Sequence, residues 1–192
     1  LHSFPTRRSS DLEEYKAAGK LENKVALITG GDSGIGRAIA ILYAKEGANV
    51  AIGYYDEHQD AEDTVNRLQE MGVKAKAYAH DLKDEKQSQK LIKDVINDFG
   101  SLNILVNNGG VQFPRDHFED ITPQQVKETF MTNIFGMMFL SQSAVPYLSE
   151  GDTIINTTSV TAYRGSGHLI DYSATKGAIV SFTRSLATTL ME

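Results

Sequence analysis

From Lys24 onward, short apolar and β-branched runs alternate with longer stretches in which apolar residues recur every three or four positions. A period of two marks a strand and a period near 3.6 marks one buried stripe of a helix. Val25 to Thr29 therefore reads as a strand running into a glycine turn, followed by a helix over Arg37 to Glu46 that Gly47 closes. Val50 to Tyr54 reads as a second strand, Asp60 to Met71 as a helix ended by Gly72, and Lys74 to Ala79 as a third strand. A helix over Asp84 to Phe99, a strand over Asn103 to Val106 and a long helix over Gln124 to Leu148 follow. Thr153 to Thr157 is the fifth strand, and a last helix starts near Asp171. This alternation predicts an α/β fold, a doubly wound parallel sheet with helices on both faces and right-handed crossovers.

Residues 1–12 stand apart from that pattern. The string Ser3-Phe-Pro-Thr-Arg-Arg-Ser-Ser-Asp-Leu12 reads either as the translation of a sequencing adapter or as a disordered leader. Residues 13–23 form an N-terminal extension, and 24–192 are expected to form one domain without repeat or linker. Met191-Glu192 falls inside an apolar-periodic helix with no glycine or proline stop, so the domain is expected to be incomplete at its C-terminus.

Composition narrows the function. The 192 residues are 41% hydrophobic and 23% charged, enough for one substantial core. A net charge of -6 gives no electrostatic reason for nucleic acid or an anionic membrane as partner, and a small-molecule substrate fits better. No apolar run approaches the roughly 20 residues that span a bilayer. The absence of cysteine excludes disulfides, a thiolate nucleophile and a thiolate metal site, and is compatible with the reducing cytoplasm expected for this chain. The histidines assemble no metal site: His58 and His117 lie in charged stretches, His168 in a polar loop and His80 at a strand end, where solvated or capping roles are expected.

Two clusters carry candidate chemistry. Gly30, Gly34 and Gly36 occupy the turn Thr29-Gly-Gly-Asp-Ser-Gly-Ile-Gly36 between a strand and a helix, where missing side chains let a pyrophosphate approach the helix N-terminus. The spacing differs from G-x-G-x-x-G, and glycine also serves any tight turn. In Asp171-Tyr-Ser-Ala-Thr-Lys176, Tyr172 and Lys176 stand four apart, on one helix face, thirteen residues after Ser159. Oxidising an alcohol requires a base, and free tyrosine with a pKa of about 10 suits that role only beside a positive charge, which Lys176 supplies. Taken singly, the Tyr-x-x-x-Lys spacing also fits any amphipathic helix, and a serine after a strand also fits a turn or cap.

With the glycine turn, Asn107-Asn-Gly-Gly110, Ser159 and Tyr172-x-x-x-Lys176 in this order, the chain from about Gly19 to Glu192 resembles the compact single-domain short-chain dehydrogenase/reductases. It is most similar to bacterial glucose or ribitol dehydrogenase-like members, some stress-associated, through Tyr15-Lys-x-x-Gly19-Lys-Leu, Gly30-Gly-Asp-Ser-Gly34 and Asp56-Glu-His-Gln-Asp60-Ala. The resemblance implies a Rossmann-type domain and an NAD(P)-dependent oxidoreductase that interconverts a secondary alcohol, such as a sugar or polyol hydroxyl, with its carbonyl. Tyr172 is then the base, Lys176 also holds the nicotinamide ribose, Ser159 hydrogen-bonds the substrate oxygen, with Thr157 and Thr158 as weaker neighbours for that role, and Asn133 supports a water-linked proton path.

The resemblance also places Ser33 and Ile35 in the cofactor turn, Asp81-Leu82 beside adenine, and Asn107 at the central sheet and cofactor, with Gly109 where the family usually has alanine. Asp81 alternatively caps the following helix. Tyr54-Tyr55 stand where an acidic residue would bind the NAD ribose, and Ser33 replaces the basic residue of many NADP users, so the cofactor is NAD or NADP. Four-helix contacts in the family imply a homo-oligomer, with Met137-Met138 and Phe139 as core or subunit-contact residues. The other readings are a non-catalytic nucleotide-binding regulatory protein, or an epimerase or dehydratase, which the glycine spacing and the Ser159 to Tyr172 interval disfavour.

Overall fold

Five strands, β1 (Val25–Thr29), β2 (Asn49–Tyr54), β3 (Ala75–Ala79), β4 (Ile104–Asn107) and β5 (Thr153–Asn156), pair in parallel in the order β3-β2-β1-β4-β5. The computed structural model describes residues 15–191. The leader expected over residues 1–12 and the first two residues of the N-terminal extension lie outside the described residues. The helices are α1 (Gly34–Lys45), α2 (His58–Glu70), α3 (Glu85–Phe99), α4 (Pro123–Phe130), α5 (Gly136–Ala144), α6 (Thr161–Arg164) and α7 (Ile170–Leu190).

Strand alternation divides the core into two layers. Ala26 and Ile28 pack on Ala40, Ile41 and Ala44 of α1 and on Ala61 and Leu68 of α2. Val25 and Leu27 point the other way, into Leu91, Ile92 and Val95 of α3 and Leu140 and Ala144 of α5. β1 is buried along its whole length, as a central parallel strand must be. At the edge, β5 is only half-buried, and Ile155 is exposed.

Several sequence expectations shift by a residue or two, and one changes in kind. The helix expected over Gln124 to Leu148 is interrupted: α4 passes into a π-helical turn at Met131–Phe135 before α5 resumes, and a 3-10 turn containing Pro146 ends the run at Tyr147. Gly136 marks the place. A Cβ there would lie 2.6 Å from the Leu82 main-chain oxygen, so the helix presses against the loop after β3. Apolar periodicity does not register one extra residue in a turn, although π turns concentrate at functional sites. The short α6 lacks a periodic pattern of its own. Asp84, not Asp81, caps α3, accepting from the N–H groups of Lys86 (2.8 Å) and Gln87 (3.2 Å).

At the N-terminal side, the Tyr15 hydroxyl and the Ala18 and Lys20 N–H groups all donate to the buried Glu46 carboxylate, hooking the extension onto the end of α1.

The topology itself locates a binding crevice. The chain winds outward from β1 to β2 and β3, then returns to β4 on the other side of β1. Crossovers leave β1 in opposite directions, and a gap opens between the carboxyl ends of β1 and β4.

Candidate active site

The turn after β1 enters this gap. Gly30 adopts φ 61°, in the left-handed region, and an added Cβ would meet the Gly109 Cα at 3.1 Å. Gly36 is more constrained still, because a Cβ there would sit 1.8 Å from the Gly30 carbonyl oxygen. The first turn of α1 therefore packs directly on the glycine turn, with its unpaired N–H groups near the crevice. Ser33 stands at the helix N-cap without a side-chain capping bond, and Ser33, Gly34 and Ile35 line the cleft. Gly36 does not line it and acts by close packing.

Across the gap, Thr29 Oγ1 accepts from the N–H groups of Asn108 (3.0 Å) and Gly109 (2.9 Å), joining the turns after β1 and β4. Gly109 leaves room for Leu82, whose Cδ1 would lie 2.9 Å from an added Cβ. Asn107 instead turns toward the sheet: its Nδ2 donates to Asn156 Oδ1 (2.8 Å) and Ser141 Oγ (3.0 Å). Of the two roles expected for Asn107, sheet support is visible directly, whereas its neighbour Asn108 lines the main cleft. Strand alternation sends adjacent asparagines to opposite sides.

Beyond the end of β2, Tyr54, Tyr55, Glu57, Asp81, Leu82 and Lys83 bound one end of the cleft. Asp81 Oδ1 accepts from the Lys83 N–H at 2.9 Å, a local turn that presents the carboxylate near the Lys83 ammonium. His80 corrects the expectation of a solvated or capping histidine. It is buried, and burial pushes its pKa below the ordinary histidine value. Gly53 makes the space, since a Cβ there would meet His80 Cε1 at 2.5 Å. No local sequence signal marks that packing.

Tyr172 and Lys176 line the opposite end from consecutive turns of α7. Lys176 is 4% exposed, its Nζ donates to the Thr157 carbonyl at 2.9 Å, and it lies 5.4 Å from the Tyr172 ring centroid. The ammonium thus sits over the ring rather than in a bond to the hydroxyl. Burial lowers the Lys176 pKa to about 8, which leaves it chiefly charged at neutral pH. Thr158 Oγ1 donates to the Lys176 carbonyl at 2.8 Å, so Thr157 and Thr158 both anchor α7.

Ser159 follows in the same loop. Its Oγ accepts from Thr161 N (3.2 Å) and Thr161 Oγ1 (3.1 Å), which orients the hydroxyl and leaves its own proton to donate. Asn133 lies within the π turn. Its Oδ1 accepts from Val111 N (2.8 Å), and its Nδ2 donates to Val111 O (2.9 Å) and Thr175 Oγ1 (3.1 Å). The side chain therefore clamps the segment after β4 to α7. Asn133, Asn107 and Lys176 also border a narrow gap behind the main cleft.

One network carried no signal in the sequence. Asp171 is buried beside Tyr172, and its Oδ2 accepts from Thr129 Oγ1 (2.7 Å) and Gln125 Nε2 (3.1 Å). Gln125 further accepts from Arg115 Nε (2.7 Å) and donates to Phe113 O (3.0 Å), joining α4, the loop and the start of α7.

The main cleft runs for about 500 Å³ from the glycine turn to Lys176. A glycine-rich turn at one end and a polar pair at the other fit an extended dinucleotide. Among the described residues, no group of three or more His, Cys, Asp or Glu could hold a metal ion, and no helix is long and apolar enough to cross a membrane.

Comparison with known proteins identifies the family. The family model for short chain dehydrogenase matches residues 24–192. An uncharacterized oxidoreductase of Bacillus subtilis (strain 168), YhdF, is 51% identical over 183 residues, which is 95% of this chain and 63% of that protein. The glucose and ribitol dehydrogenase of Daucus carota is 45% identical over 185 residues, 92% of this chain and 63% of that protein. The crystal structure of a short chain dehydrogenase from Burkholderia cenocepacia J2315 in complex with NADP matches with a TM-score of 0.86 at 35% identity, covering 89% of this chain and 70% of that one. The chain therefore spans less than two thirds of the length of these two curated relatives. With the family model matched over residues 24–192 and a doubly wound parallel sheet in the order of its strands, the chain belongs to the short chain dehydrogenase family.

Proposed function

We propose that this protein is an NAD(P)-dependent oxidoreductase that interconverts a secondary alcohol with its carbonyl, with sugars and polyols as the substrate class. The observation that carries this reading is the single cleft joining the glycine turn to Tyr172 and Lys176. The name of the carrot relative supports the substrate class.

Gly30, Ser33, Gly34 and Ile35 would hold the pyrophosphate half of the cofactor, with Gly36 shaping the turn, and Tyr54, Asp81, Leu82 and Gly109 would bound its adenosine half. Bound there, a nicotinamide cofactor supplies the hydride acceptor or donor. Tyr172 removes the substrate hydroxyl proton, or returns it in the reverse direction. Lys176 stabilises negative charge as it develops on the phenolic oxygen, and Ser159 donates to the substrate oxygen. Asn133 holds the segment beside Lys176 in register. Asn107 keeps β4 and β5 aligned beneath the site.

The test is Tyr172→Phe in the protein at its natural length. Turnover should fall by about 10²–10⁴-fold, the usual contribution of a positioned acid–base group, while nucleotide binding persists. Retained turnover would remove Tyr172 from this role.

A second copy is the proposed partner. Phe135 and Met138 are exposed, and Phe135 stacks on Phe139 with centroids 6.4 Å apart, whereas Met137 is buried with Ile134 and Ile179. The proposed compartment is the cytoplasm, with which the cysteine-free composition is compatible.

A further inference from the structure

Resting on the dinucleotide-binding reading above, we propose that the adenosine end of the cleft selects NAD(H) over NADP(H), with the Lys83–Glu128 ion pair as the selecting device. The two cofactors differ by a phosphate on the adenosine ribose, which brings nearly two negative charges to the space beside the end of β2 and the glycine turn. Binding that phosphate requires a cation free to meet it.

Among the described residues, Arg37 near the glycine turn and Lys83 in the cleft lining are each paired with a carboxylate. Arg37, in the first turn of α1, donates through Nε to Asp32 O (2.7 Å) and through one terminal nitrogen to Asp60 O and Asp60 Oδ1 (both 3.1 Å), which ties it to α2. Lys83 reaches from the loop after β3 to α4, where its Nζ lies 2.8 Å from Glu128 Oε1, with Asp81 Oδ2 at 3.7 Å and the Tyr55 ring centroid at 5.8 Å. Among the described residues, four carboxylates, those of Asp32, Glu57, Asp81 and Glu128, line the cleft, and besides Lys83 the lysine lining it, Lys176, belongs to the Tyr172 end. A 2′-phosphate would have to draw Lys83 out of its pair and sit among those acids.

An unphosphorylated ribose meets none of these obstacles. Ser33, Tyr54 and Tyr55 are neutral, and polar groups of this kind suit sugar hydroxyls. The NADP in the Burkholderia structure belongs to a protein 35% identical to this one.

The test measures dissociation constants for NADH and NADPH by fluorescence titration, with the protein at its natural length as wild type, E128Q and the double variant K83Q/E128Q. NADH should bind the wild type at least about 30-fold more tightly, because like charges brought together at a binding site are strongly disfavoured. E128Q releases Lys83 and should tighten NADPH about tenfold, the scale of one charge-assisted contact, in a manner that salt weakens. Adding K83Q should abolish that gain while leaving the fold, followed by circular dichroism, unchanged. Wild-type protein that binds NADPH as well as NADH overturns the selection, and a preference ratio unmoved by E128Q overturns the role of the ion pair. Binding of neither nucleotide removes the proposed function and this inference together.

Discussion

Lys176 Nζ donates to the Thr157 main-chain oxygen at 2.9 Å, tying α7 to the segment that leaves β5 at a point where the lysine is 4% exposed. The bond orients the ammonium over the Tyr172 ring. Burial works against the charge, and the folded-state pKa falls from 10.5 to about 8.

That shift has a defined pH signature. Below pH 8 the lysine is charged in both folded and unfolded chains, and the cost of burying the charge is constant. Between pH 8 and 10.5 the unfolded chain binds more protons than the folded one, so stability rises with pH. Lys176→Met should therefore be favoured over wild type by up to about 3 kcal/mol more at pH 7 than at pH 10.5. Urea denaturation of both proteins across that range checks it, and a pH-independent difference would contradict a desolvated ammonium.

Gly36→Ala should damage the glycine turn after β1. The new Cβ would lie 1.8 Å from the Gly30 carbonyl, and backbone cannot yield as a flexible side chain does. We expect a stability loss of about 1–3 kcal/mol, as for other overpacked sites, with NADH affinity lowered by at least about tenfold. Paired denaturation and nucleotide titration measure both effects, and unaltered affinity would show that the turn does not bind the cofactor.

Asn133→Ala should release the segment after β4. It deletes both bonds to Val111 and the donation to Thr175 Oγ1, leaving polar groups near the narrow gap without partners. The expected cost is about 2–4 kcal/mol, with the Val111 amide losing hydrogen-exchange protection first. Full protection of that amide in the variant would mean that Asn133 is not its clamp.

Asp171 should act on turnover through position rather than contact. Asp171→Ala strips the acceptor shared by Thr129 and Gln125, and should cost about 2–4 kcal/mol and lower kcat more than it raises KM. Asp171→Asn keeps an oxygen able to accept both donors, and its amide can occupy the side of Oδ1, which has no partner. It should recover most of both losses. Equal loss in the two variants would point to the charge instead of the hydrogen bonds.

The strands lie within a residue or two of their expected positions because alternation and turn chemistry are local. Val25 and Leu27 point one way and Ala26 and Ile28 the other for reasons contained in five residues. Tyr172 and Lys176 were visible as a pair because an α-helix places positions four apart on one face. The interrupted long helix, the buried His80, the division of labour between Asn107 and Asn108 and the Asp84 cap were less legible.

What local pattern could establish was the order of the elements, the parallel doubly wound sheet and the residues that converge at the carboxyl ends of its strands. Docking of the elements supplied the rest: Gly136 against Leu82, Gly53 beneath His80, Lys83 against Glu128 across 45 positions of chain, and Asp171 against Thr129. Such contacts depend on the relative placement of whole helices. That placement is set by many small packing energies summed over the core, and no short stretch of sequence contains the sum.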